Sequence, residues 1–242
     1  MMAYLLSAGM AAHAEEVRVA VAANFAAPMQ KISQAFERET GHRVLMSLGA
    51  TGAFHTQIRN GAPFEVLLAA DQATPISLEK EGFAVQGSRL TYSIGKLVLY
   101  SKQSGLVDPE GRVLQTQEPQ RLAIANPQLA PYGAAAIETL TALKLLDSWK
   151  PKLVQGDNIA QAYQFVITGN AALGFVASSQ VYLDGQLKEG SAWIVPRHLY
   201  TPIKQDAVLL NKGQRNQAAK ALLSYLRADK TQQMIRTFGY DV

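Results

Sequence analysis

The stretch from Gly49 to Asp71 constrains this chain more than any other, because it reads in order as a turn, a helix, a stop and a buried strand. Gly49 and Gly52 let backbone N–H groups crowd together, and Thr51 stands where a helix takes its cap. Phe54 and Ile58, four residues apart, give the helix one apolar face. Gly61 and Pro63 end it, and Phe64 to Ala70 is apolar enough for a strand covered on both faces. A strand–turn–helix junction without a catalytic side chain suits an anion, since helix N-termini present unpaired N–H donors. The expectation is a chain that binds a small oxyanion and does no chemistry on it.

The rest of the chain repeats this alternation. Val17, Val19 and Val21 mark a first strand, followed by Ala23-Asn24-Phe25 and a helix with Met29, Ile32 and Phe36 on one face, closed by Gly41. Asn24 is a good helix cap, and Pro28 is tolerated in a first turn. Val44 to Leu48 is a second strand, and Pro75 to Glu81 a short helix stopped by Gly82. Strands follow at Leu97–Tyr100, Leu122–Ala125, Leu153–Val154, Leu173–Val176, Trp193–Val195 and Ala207–Leu210. Helices are expected from Pro131 through Ile137, Leu140 and Lys144, after Asn158-Ile159 through Ala162, Phe165 and Val166, and over Ala218, Leu222 and Tyr225. Ser178-Ser179 is placed to cap a further helix, and Asp71 to cap the segment after it.

Such alternation implies parallel sheets built from strand–helix–strand units. Similar junctions recur at Ala23-Asn24, Ala50-Thr51, Tyr132-Gly133 and Asn158-Ile159, two in each half of the chain. Ligands of open parallel sheets sit beyond the carboxyl ends of the strands, so the site belongs between two lobes.

Composition agrees and excludes several classes. At 242 residues with 48% hydrophobic and 17% charged, the chain is long enough for two modest α/β lobes. A net charge of +4 suits an anionic ligand, but no Lys/Arg run or basic-aromatic stripe points to nucleic acid. The absence of cysteine excludes thiolate metal sites, disulfides, a Cys nucleophile and a lipidated N-terminal Cys. His42, His55 and His198 are isolated, without metal-ligand spacing, and Ser178-Ser179 lacks the elbow of a serine hydrolase. Asp157 is expected to cap or turn outward, because a carboxylate beside an anion costs energy.

Residues 1–14 read as the remnant of a secretory signal, an apolar run ending in Ala12-His13-Ala14 before Glu15-Glu16, with the charged leader missing. Nothing else approaches the ~18 apolar residues of a membrane span. The expected mature protein is exported, unanchored and monomeric.

Ala-Ala-Asn-Phe after the first strand, Gly49-Ala-Thr-Gly52, Asn60 to Phe64, Ala69-Ala70-Asp71, Asn126-Pro127 with Ala130 to Gly133, and Gly174-Phe175-Val176 together resemble the periplasmic molybdate-binding proteins of ABC importers, the ModA family. The resemblance runs from about Val17 to the C-terminus. It implies an α/β two-lobed periplasmic-binding-protein fold (type II), with two parallel or mixed sheets flanked by helices and a double crossover hinge. On that pattern residues 15–92 and 203–242 form one lobe and 93–202 the other. It further implies molybdate or tungstate as ligand, no cofactor and no directly coordinated metal, and the transmembrane subunits of an ABC permease as partner. Carried over by position, the ligand set is Asn24 (side chain and N–H), Thr51 (hydroxyl and N–H), the backbone N–H groups of Tyr132 and Ile159, and Ala23. Ala23 stands where relatives often have Ser or Thr, Thr51 where Ser is usual, and Ala177 where many have a ligand-contacting Tyr. This set resembles a subgroup that uses Asn in place of Tyr.

Neutral donors suit a fully ionised dianion, and a site without a positioned acceptor disfavours protonated phosphate. Sulfate or another tetrahedral oxyanion is the alternative ligand. An enzyme on the same fold would need a nucleophile–base pair, and no His or Lys sits beside a junction. A sensing domain fits poorly with an export signal.

Overall fold

The computed structural model describes residues 14–116 and 121–242. The chain runs β1 (Glu16–Ala22), α1 (Ala26–Thr40), β2 (Arg43–Gly49), α2 (Thr51–Arg59), β3 (Val66–Leu68), α3 (Ala73–Lys80) and β4 (Leu90–Gly95). It continues through β5 (Leu97–Ser101), α4 (Val113–Thr116), β6 (Leu122–Ala125), α5 (Pro131–Ala142), α6 (Leu146–Trp149), β7 (Leu153–Gly156) and α7 (Ile159–Ile167). Then come β8 (Leu173–Ala177), α8 (Ser178–Val181), the short pair β9 (Tyr182–Leu183) and β10 (Gln186–Leu187), β11 (Ser191–Ile194), β12 (Ile203–Leu209), α9 (Gln217–Arg227) and α10 (Asp229–Thr237).

Two five-stranded sheets form, ordered β2-β1-β3-β12-β4 and β11-β5-β8-β6-β7. Strands β1 to β3, and β6 to β8, run parallel as the alternation predicts. The strands that carry the chain between sheets run antiparallel: β12 against β3 and β4, and β5 against β8 and β11. The first crossing falls at Lys96, between β4 and β5, and the second between β11 and β12. The fold is therefore α/β and two-lobed, with mixed sheets.

Burial explains the elements. Met29, Ile32 and Phe36 on α1 are fully buried against β1, and Phe54 and Ile58 pack α2 onto the other face of the same sheet, beside Leu67 and Val208. The second sheet has its own core, from Leu97 through Trp149 to Phe175, where the Trp149 indole N–H donates to Leu114 O at 2.9 Å. Gly41, Gly61 and Gly82, all at positive φ, stop α1, α2 and α3 as expected.

Several expectations need correction. Asn24 does not cap α1, because a 3-10 turn over Ala23–Phe25 intervenes and the helix starts at Ala26 without a side-chain cap. Thr51 is the first residue of α2 and Ala50 precedes it as the extended residue. Ser178 and Ser179 lie inside α8 and cap nothing; Asp157 is an exposed turn residue, one of the two roles expected of it, and Asn158 caps α7. Lys144 lies beyond α5, in the left-handed region at φ 60°. Of Phe64 to Ala70, only Val66–Leu68 is paired as strand. Helix α10, absent from the sequence reading, packs against α1 and α9. The signal residues fall outside the described residues, except Ala14.

Candidate oxyanion site

The junctions picked out in the sequence converge at the carboxyl ends of β1, β2, β6 and β7. Each is built differently. After β2, Ala50 is extended and Thr51 opens α2, so the Thr51 N–H has no intrahelical acceptor. Thr51 is 1% exposed, and its Oγ1 accepts from the Ala70 N–H at 2.9 Å. With that lone pair occupied, the hydroxyl proton is free to serve as a donor.

After β6, Pro131 occupies the first helical position of α5, where its missing N–H costs nothing, and Tyr132 follows. After β7, Asn158 Oδ1 accepts from the N–H groups of Ala160 at 3.0 Å and Gln161 at 3.1 Å. That cap satisfies the second and third N–H groups of α7 and leaves that of Ile159. Among the described residues no acceptor is found for the N–H of Thr51, Tyr132 or Ile159. The Tyr132 and Ile159 side chains are buried packing groups.

Asn24 is different again. It is 3% exposed, and its Nδ2 donates to Gln205 Oε1 and to the Tyr240 hydroxyl, both at 2.9 Å. Its backbone O accepts from Ser179 Oγ at 2.7 Å and from the Tyr240 hydroxyl at 2.9 Å. Gln205 also accepts from the Tyr92 hydroxyl at 3.0 Å and donates to the Tyr132 hydroxyl at 3.1 Å. Burial pushes the Tyr240 phenol up to about 12 and raises those of Tyr92 and Tyr132, so all three remain O–H donors at neutral pH.

A single small chamber results. It is lined by Ala22, Ala23, Asn24, Gly49, Ala50, Thr51, Ala70, Ala130, Pro131, Tyr132, Asn158 and Ile159, with a cavity volume of ≈ 10 Å³, about the room one water takes. All the nominated residues, Ala23, Asn24, Thr51, Tyr132 and Ile159, are brought together there. Among the described residues no acidic or basic side chain lines it. A larger groove beside it, ≈ 450 Å³, holds Asp71, Glu138 and Lys204. Asp71 caps its segment as expected, accepting from the Thr74 N–H at 2.8 Å. Burial raises its carboxyl above the usual range, and the bond from Thr74 opposes that shift. Ala177 is buried at the end of β8 and does not line the chamber.

The lobes touch around this chamber. The Gly52 N–H donates to Leu129 O at 2.9 Å, so this N–H at the start of α2 reaches the opposite lobe and not the chamber. A Cβ on Gly52 would stand 3.1 Å from Leu129 Cα and 3.2 Å from its O.

Sequence reasoning missed Gln205 and Tyr240, the bond from Ser179 to the Asn24 backbone, and the capping role of Asn158. Asn158 before the apolar face of α7 was a legible cap, but Gln205 stands in the polar run Lys204-Gln205-Asp206, where nothing marks it as buried. Tyr240 and Ser179 carried no signal either.

Residues 17–241 match the family model of the bacterial extracellular solute-binding proteins. The chain is 58% identical over 238 residues to the molybdate-binding protein ModA of Azotobacter vinelandii, covering 97% of this chain and 94% of that one. It is 49% identical over 239 residues to the ModA of Rhodobacter capsulatus, covering 99% and 93%. A solved structure of an Azotobacter vinelandii periplasmic molybdate-binding protein superposes with a TM-score of 0.90 at 38% identity, covering 93% of this chain and 99% of that one. The chain belongs to the bacterial extracellular solute-binding protein family.

Proposed function

We propose that this protein captures molybdate between its two lobes and delivers it to the membrane permease of an ABC importer. One observation carries the reading: junctions from both sheets meet in one small chamber lined only by uncharged groups. The names of its relatives in Azotobacter and Rhodobacter support the choice of ion. Tungstate, of the same shape and charge, is the expected second ligand.

The ligand set comprises the Thr51 hydroxyl and N–H, the N–H groups of Tyr132 and Ile159, and the Asn24 amide, with Ala23 as wall. Each hydrogen bond to a charged oxygen contributes about 1.5–3 kcal/mol, and the positive ends of α2, α5 and α7 add to it. Exclusion of water strengthens both terms. A full −2 charge is held without a counter-charge, and because the relatives are named as binding proteins we read the chain as no enzyme. A protonated phosphate would bring an O–H with no acceptor to meet it.

The expected bounds at 92/93 are shifted to Lys96, because β4 pairs with β12 through Gly95, so the lobes are taken as residues 15–95 with 203–242, and 97–202. The protein is taken to act as an exported monomer in the periplasm. Among the described residues no helix is long and apolar enough to cross a membrane.

Thermal unfolding with molybdate, tungstate, sulfate and phosphate at equal concentration tests this. A ligand at ~100 times its dissociation constant adds about 2.7 kcal/mol of stability. Shifts with molybdate and tungstate alone are expected. A shift with sulfate alone would keep the fold and replace the ligand, and no shift at all would end the proposal.

A further inference from the structure

Gln205 has no place in the ligand set, yet it is wholly buried and touches both sides of the chamber. It lies where the pairing of β12 with β4 shifts register between Gln205 and Asp206, and both of these consecutive residues are buried. Its amide joins Asn24 of one lobe to Tyr132 of the other. Gly95 makes the room: a Cβ there would stand 2.1 Å from the Tyr132 hydroxyl and 2.6 Å from Gln205 Nε2.

An amide donates at one end and accepts at the other, and half a turn about its last bond exchanges the two. As described above, both N–H groups of Asn24 point into the protein. Its Oδ1, without a hydrogen-bond partner among the described residues, is then what the side chain offers the chamber. That polarity is wrong for an anion. Turning Asn24 alone would set its oxygen against Gln205 Oε1 at the present 2.9 Å, acceptor facing acceptor.

Turning both amides removes that clash and pairs every donor of the network except the Asn24 N–H groups, which are left for the chamber's occupant. The Tyr132 hydroxyl donates to the Gln205 oxygen, and the Gln205 N–H groups donate to Asn24 Oδ1 and to the Tyr92 oxygen. The Tyr92 proton goes to Ala69 O, 3.0 Å away. The Tyr240 hydroxyl donates to Asn24 Oδ1, while Ser179 keeps the Asn24 backbone O. The Asn24 N–H groups then face the chamber. We propose that Gln205 is the positioning residue that sets the polarity of Asn24, and that a bound oxyanion selects the turned pair. This rests on the oxyanion reading above.

Two measurements test it. In the isotope-labelled native chain, the side-chain amide protons of Asn24 should show cross-peaks to the Tyr240 ring without ligand and lose them when molybdate is added. Gln205→Glu keeps the shape but, when ionised, only accepts, holding the Asn24 N–H groups inward. It should weaken molybdate binding by about 100-fold in the native background, but by less than about fivefold in an Asn24→Ala background, since the penalty acts through Asn24. Equal penalties in both backgrounds would show plain charge repulsion and overturn the proposal. So would cross-peaks that persist with molybdate bound, a result that needs no variant to fold. If the native chain binds none of molybdate, tungstate and sulfate, the oxyanion reading falls and this inference with it. If it binds and the penalties are equal, this inference alone falls.

Discussion

The two sides of the chamber are built by different means. On the first sheet's side, Asn24 and Thr51 bring polar side chains, beside the Thr51 N–H, and each side chain is held by other groups: Asn24 by Gln205 and Tyr240, Thr51 by the Ala70 N–H. On the second sheet's side, Tyr132 and Ile159 offer backbone N–H groups at the starts of α5 and α7, while their side chains pack. A backbone donor survives almost any substitution that keeps the helix start. A side-chain donor depends on its identity and on every partner that orients it. Affinity and selectivity should therefore be tunable mainly from the first side, and robust on the second.

The largest test asks whether the two sides must meet. Gly52→Val places a branched side chain against Leu129, where even one Cβ is tight. Molybdate binding should weaken by about 100-fold or more, ~2.7 kcal/mol, in calorimetric titration. Unfolding of the ligand-free chain should change little, since Gly is itself a poor helix former. Unchanged affinity would mean the lobes need not close on this contact.

Thr51→Val comes next. It keeps the shape, removes a donor to a charged oxygen and strips the Ala70 N–H of its partner. Loss of one charged hydrogen bond, ~1.5–3 kcal/mol, predicts roughly 10- to 150-fold weaker binding. Asn24→Ala should cost about tenfold or more, ~1.4 kcal/mol. It should also lower the melting temperature, because Gln205 and Tyr240 lose a buried partner. Ile159→Val sharpens the contrast: the N–H stays, so affinity should change less than about twofold even if packing costs about 0.5–1.5 kcal/mol of stability. An effect as large as that of Thr51→Val would break the distinction between the sides.

The smallest effect concerns pH. The Asp71 carboxyl is raised in the folded chain, chiefly by burial. Above its ordinary value the folded state then holds a proton the unfolded state has released, so stability falls as pH rises through that window. Asp71→Asn should flatten this slope above the carboxyl's ordinary value, checked by melting temperature across a pH series, and leave molybdate affinity unchanged. A slope identical to that of the native chain would remove Asp71 as its source.

Much of this was legible in the sequence, because local rules decide it. Alternating valines and the faces Met29–Phe36 and Phe54–Ile58 placed β1, α1 and α2, and glycines at positive φ ended their helices. The junctions nominated as donors are the ones that meet, since ends of parallel strands fall together in such sheets. What local pattern could not reach was pairing over long separations. Gln205, Tyr240 and Ser179 lie 181, 216 and 155 residues from Asn24; the return of the chain through β12 and its tail brings the first two to it, and α8 of the other lobe brings Ser179. The same separation hid the true partner of the Asn24 side chain, which by propensity alone is a helix cap and in the fold is one half of a buried amide pair. Sequence set the backbone donors, because a helix start carries its N–H groups wherever it goes. Tertiary structure decided the side-chain donors, because an amide's polarity belongs to whatever surrounds it.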